Sequence, residues 1–145
     1  MKFLDCAITD ETYTHIENTV KPTVVTVINT SQAVAWVKRT HLEVSYVGVT
    51  DEYAGQILKR NGVNMDHVER LTASDLKRPI LFLDWGDGTQ VLADGNHRYM
   101  LAHRLKRKDI RCWIVERKDW QQFVVEGIPP QLYGIMIADV MTSVK

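Results

Sequence analysis

Residues 79–115 read PILFLDWGDGTQVLADGNHRYMLAHRLKRKDIRCWIV, and they decide the fold. Pro79 opens an apolar run, PILFLD, of strand length. WGDGT at 85–89 carries an Asp-Gly turn signal, so QVLAD at 90–94 is the expected antiparallel partner. A helix is predicted from about 96 to 105, and IRCWIV at 110–115 is a further strand.

Working outward, TVVTVIN at 23–29 is β-branched and bounded by Pro22, which reads as a strand. Ser31 is expected to cap a short helix running to Val37. A strand LEVSYVGV follows at 42–49, then a helix DEYAGQILKR capped by Thr50 or Asp51 and ended by Asn61-Gly62. NMDHVERL at 64–71 reads as another turn or two of helix. Beyond the central stretch, Asp119 is expected to cap a helix WQQFVVE, and QLYGIMIADVMTSV at 131–144 to form a closing helix. Strands and helices mixed in this order predict an α+β fold: a small mixed sheet with flanking helices, in one domain spanning 1–145.

Composition narrows the function classes. Eighteen basic residues balance eighteen acidic ones in 145, which argues against a general nucleic-acid coat protein but leaves room for a local basic patch. The two cysteines, Cys6 and Cys112, form no CxxC or Cys/His cluster, which points to a reducing compartment. MKFLDCAITDETY lacks the apolar run of a signal peptide, and a soluble cytoplasmic protein is the expectation.

The chemistry concentrates where strand 90–94 meets the next helix, in ADGNHRYM. Arg98, Leu101, Ala102 and Leu105 fall at i, i+3, i+4 and i+7, the core-facing stripe of an amphipathic helix. An arginine at the head of such a stripe requires an anionic partner. One reading is structural: Asp94 or Asn96 caps the helix, and Arg98 pairs with Asp94 or Asp84. The other is a phosphate cradle, in which free N–H groups and the helix dipole favour an anion. There Gly95 permits close approach or positive φ, and Asn96 and His97 add donors.

Residues 79–115 resemble the ParB/sulfiredoxin superfamily: Pro-Ile and an apolar strand, a turn, a strand into Gly-x-His-Arg, an Ala- and Leu-bearing helix and a closing strand. GNHRYMLAHRL is similar to the sulfiredoxin Gly-Cys-His-Arg-Tyr helix. The resemblance implies that Gly95, Asn96, His97 and Arg98 hold nucleotide phosphates. Sulfiredoxins carry cysteine where this chain has Asn96, which removes their sulfinic-acid chemistry. A partition role is not expected, since the 30 residues after Val115 have no room for a helix-turn-helix and dimerisation region. What remains resembles stand-alone members: nuclease-like proteins, free serine kinases whose Asp-Gly-x-His-Arg string matches ADGNHR, and small phage or plasmid proteins. The implied function is a nucleotide-dependent phosphotransferase or nuclease-like enzyme, with ATP or CTP and Mg²⁺ as cofactors. His97 and Asp94 would be catalytic, and Asp94 would position the metal. The alternative is a catalytically inactive protein of the same fold that engages a host protein or DNA.

Other polar residues receive plainer readings. Asp84 is a hairpin-flanking turn residue, and Glu116 and Arg117 belong to a solvated edge. His103, six positions from His97, points to another side of the helix. Arg104, Lys106, Arg107 and Lys108 complement the helix dipole at its C-terminus, with a nucleic-acid contact as the minority reading. Trp36, Trp85, Trp113 and Trp120 read as core or turn anchors, and Cys112 as a buried thiol.

Overall fold

The computed structural model describes residues 11–17, 24–59, 63–86 and 88–125. The closing helix expected at 131–144 lies outside the described residues. The described residues form six strands: β1 (Thr12–Glu17), β2 (Val24–Asn29), β3 (Ser45–Gly48), β4 (Ile80–Asp84), β5 (Gln90–Asp94) and β6 (Asp109–Val115). Among the same residues five α-helices accompany them: α1 (Thr30–Arg39), α2 (Asp51–Lys59), α3 (Met65–Arg70), α4 (Asn96–Arg104) and α5 (Arg117–Trp120). The fold is α+β, with a four-stranded mixed sheet in the order β3-β6-β4-β5 and a separate β1-β2 hairpin.

β4 is the pivot of the sheet. It runs parallel to β6 and antiparallel to β5, so both of its edges are paired. Its first four residues are all buried, because side chains on both faces meet a core layer. Leu81 and Leu83 join Ile28, Val37, Trp113, Val115 and Trp120 on one side. Ile80 and Phe82 join Ile57, Val68, Leu92, Tyr99 and Cys112 on the other. This two-sided burial explains why PILFLD is continuously apolar instead of alternating. Burial also pushes the Cys112 thiol up to about 11, which leaves it an unreactive core residue at neutral pH.

α4 is more deeply enclosed than a single stripe implies. Arg98, Tyr99, Met100, Leu101 and Ala102 are all buried. The helix packs on β4 and β6, with α2, α3 and the 3₁₀ turn Ala73–Lys77 against its flanks. Leu105, expected on the stripe, is 43% exposed because the helix has already ended. The Tyr99 hydroxyl donates to Gly48 O (3.1 Å) and accepts from Thr50 N (3.0 Å), tying α4 to the β3–α2 junction. Tyr99→Phe leaves both backbone groups unpaired and is expected to lower the free energy of unfolding by about 1–3 kcal/mol, read from urea titration. An unchanged midpoint would mean that the hydroxyl holds nothing.

Several boundaries differ from expectation for identifiable reasons. Asn29, not Ser31, caps α1: its Oδ1 accepts from Gln32 N at 3.0 Å, while Ser31 Oγ accepts from Glu11 N. Thr50 caps α2 through its hydroxyl. The helix expected from Asp119 instead begins at Arg117, and the chain passes through a 3₁₀ turn, Gln121–Phe123. It cannot stay helical, because Val124 bridges to Ile28 and Val125 N donates to Val27 O (2.7 Å). α1 and α4 both close with a left-handed residue that is not glycine, His41 (φ 55°) and Lys106 (φ 56°). The paired bonds Leu42 N to Val37 O and Arg107 N to Ala102 O identify both ends as Schellman motifs.

Arg117 is exposed, as expected of a solvated edge, but it is anchored there. Its guanidinium lies 5.9 Å from the Trp85 ring centre and 5.5 Å from that of Trp120, and it donates to Trp85 O. Trp85 and Trp120 stack at 4.5 Å, and His15 of β1 lies 4.3 Å from Trp85. Trp120 Nε1 donates to Asp84 O (2.8 Å), which pins the far end of β4. Asp84 itself is a turn residue, its Oδ1 accepting from Gly86 N at 2.8 Å. Among the described residues, no helix is long and apolar enough to cross a membrane.

Candidate functional site

The β5–α4 junction brings Asp94, Gly95, Asn96, His97 and Arg98 together, and a bulge shapes its approach. The β4–β5 register shifts between Leu81 and Phe82, so that Leu81 pairs with Asp94 and Phe82 with Leu92. Gly95 then takes φ 110°, ψ 22°, a left-handed conformation that turns the strand directly into the helix. A Cβ on Gly95 would stand 2.3 Å from Ile80 Cγ2 and 2.7 Å from Ile80 Cβ. The close approach that requires glycine here is therefore to β4.

Arg98 turns inward. Its Nη1 donates to Arg78 O (2.7 Å) and Pro79 O (2.8 Å), and its Nη2 to Asp94 Oδ2 (3.1 Å). The residue is 5% exposed. Burial lowers its pKa and the Asp94 carboxylate opposes that shift, leaving a charged guanidinium at physiological pH. The anion that the stripe position requires is Asp94, one turn earlier, supplemented by two carbonyls at the entrance to β4. Asp94 is thereby committed to Arg98 through one oxygen.

His97 faces a residue that the sequence did not suggest. Its Nε2 accepts from Asn64 N at 3.1 Å, so the neutral ring carries its proton on Nδ1. The ring centroid lies 4.5 Å from that of His67 on α3. Asn64 also caps α3 through Asp66 N, so His97 ties the first turn of α4 to the first turn of α3. Thirty residues separate His67 from His97 in sequence, and only the packing of α3 on α4 joins them. His103 is spent elsewhere, its Nε2 lying 2.7 Å from Asp51 Oδ1.

Burial lowers the His97 pKa from its ordinary value near 6.5, and His67 pushes it the same way. The native state therefore holds His97 neutral more strongly than the unfolded chain does. The associated stability is complete above the ordinary imidazole value and is lost as pH falls below it toward the depressed native value. Acidification from about pH 8 to about pH 5 should lower the urea midpoint, and His97→Gln should flatten that dependence. An equal pH slope in the variant would assign the effect to other groups.

The backbone at the start of α4 is the remaining feature. The first intrahelical bond is Tyr99 N to Gly95 O (2.9 Å), so the N–H groups of Asn96, His97 and Arg98 precede the helical ladder. The N-cap is Gly95, so among the described residues no side chain caps this end of the nine-residue helix. Asn96 Oδ1 is buried without a hydrogen-bond partner among the described residues. Among the same residues, no group of three or more His, Cys, Asp or Glu side chains could hold a metal ion.

Comparison of the chain with protein families, curated proteins and solved structures yields no match. The resemblance of residues 79–115 to the ParB/sulfiredoxin superfamily accordingly rests on those residues alone.

Proposed function

We propose that the Asp94–Arg98 turn belongs to a phosphate-binding domain whose ligand is a nucleotide. The observation that carries this reading is the uncapped start of α4, where three backbone N–H groups at the positive end of a nine-residue helix lack intrahelical acceptors. His97 beside them adds a ring donor, and the buried Asn96 Oδ1 would accept from a ligand hydroxyl or amino group. A nucleoside phosphate offers both kinds of partner; inorganic phosphate offers the anion without the ribose and base.

The residues fit phosphate better than a protein-held metal. Asp94 carries its charge toward Arg98, and a Mg²⁺ ion would bind chiefly through the ligand's own oxygens. Phosphotransfer or nuclease-like chemistry would have to use His97 and Asp94, both of which are engaged within the fold. That engagement favours binding over catalysis and supports the second reading, an inactive protein of the same fold.

Thermal unfolding with ATP, CTP and inorganic phosphate, with and without Mg²⁺, tests the proposal. The midpoint should rise with the logarithm of nucleotide concentration and less with inorganic phosphate. Asn96→Asp places a negative charge at the helix start and should abolish the response while leaving the fold intact. His97→Gln should reduce it. No shift with any nucleotide, or an equal shift in Asn96→Asp, would refute the reading.

A further inference from the structure

A second polar surface lies on the opposite edge of the sheet. Between β3–β6 and the 3₁₀ turn Ala73–Lys77 is a groove of about 520 Å³ lined by Tyr46, Leu76, Lys77, Arg107, Asp109 and Arg111, among others. Its volume falls in the range of ligand-binding clefts. Three cations face one carboxylate there, in a chain whose overall charge is zero.

The register makes the groove a platform. Tyr46 pairs directly with Arg111, which sets the phenol beside the guanidinium on one face of the sheet. Arg111 is held in place by donating to Lys77 O at 2.8 Å. Tyr46 is 65% exposed, the most exposed of the large hydrophobic residues described. Two positions on, Gly48 occupies the same face, and a Cβ there would meet nothing within 4 Å, so the surface beyond the ring is open. The basic run continues along this path: Val49 N donates to Lys108 O (3.0 Å), which fixes residues 106–108 beside the end of β3.

We propose that this groove binds single-stranded nucleic acid, with Tyr46 stacking a base and Lys77, Arg107 and Arg111 contacting successive phosphates. An exposed aromatic set among cations along an open track is how sequence-tolerant single-strand binding is built. An acidic peptide would use the cations and leave the ring without a role. The cleft is too small for the body of a duplex, and the charge running on past it suits a polymer better than a mononucleotide. The site is separate from the Asp94–Arg98 turn and does not depend on the nucleotide reading there.

Fluorescence anisotropy with a labelled thymidine oligonucleotide tests the proposal, using the full chain. Affinity should fall with salt, with a log–log slope of roughly 0.7 per phosphate contact. Lys77→Ala with Arg107→Ala should weaken binding by about tenfold or more and reduce the slope. Tyr46→Ala should weaken it by about tenfold and leave the slope unchanged. Asp109→Asn should tighten it, and His97→Gln should have no effect. Tyr46, Lys77, Arg107 and Asp109 are exposed, and circular dichroism is to check that each variant is folded. The proposal is overturned by absence of binding at low salt, by variants that bind like wild type, or by polyglutamate competing as well as the oligonucleotide. The last result would reassign the groove to an acidic protein.

Discussion

Arg98→Met is expected to lower the free energy of unfolding by about 3–5 kcal/mol, the largest effect of any substitution in the turn. Methionine approximates the volume of the stem but donates no hydrogen bonds. Arg78 O and Pro79 O lose a charged donor at the entrance to β4, and Asp94 loses its counter-ion. Urea titration reads the loss as a lower midpoint with little change in slope. Combining Arg98→Met with Asp94→Asn should cost less than the sum of the two, because the pair shares one interaction. The result also separates two roles for the guanidinium. If Arg98→Met leaves stability within about 1 kcal/mol of wild type and removes the nucleotide response, the guanidinium belongs to the ligand and not to the fold.

Gly95→Ala is expected to cost about 3 kcal/mol, from two contributions. The left-handed conformation penalises any Cβ, and this Cβ would stand within 3 Å of Ile80 Cβ and Cγ2. Ile80 is fully buried at the start of β4 and has no flexible end to move aside at those atoms. The strand or the helix must therefore shift. Thermal unfolding of the variant measures the cost, and a midpoint near that of wild type would rule out the close approach. Together with Arg98, Gly95 shows that the two residues most suggestive of a ligand site also hold α4 onto β4.

Much of the fold was legible because local rules and tertiary packing agreed. PILFLD, QVLAD and IRCWIV appear as strands, and GNHRYMLAHR as the helix between them, since turn chemistry and apolar periodicity point the same way. β1 is not legible in the sequence, because Thr12–Glu17 has no clear apolar alternation and takes its place as a strand by pairing with β2. The 3₁₀ turn at Ala73–Lys77 is likewise hidden in the sequence, since no periodic pattern marks a single tight turn. The ends of α1 and α4 carry no glycine signal, as His41 and Lys106 fill the left-handed positions.

At the junction, residue types determined that Arg98 needs an anion, that Gly95 supports positive φ, and that a helix start follows. They left open which anion and which donor. Tertiary structure decided those questions by distance: Asp94 and two carbonyls surround the guanidinium, and His67 and Asn64 reach His97 from another helix. The groove beside Tyr46 was likewise invisible, because its cations come from segments about thirty residues apart. Sequence patterns encode the periodicity of one element at a time. Partners across elements are chosen by packing, which no single element records.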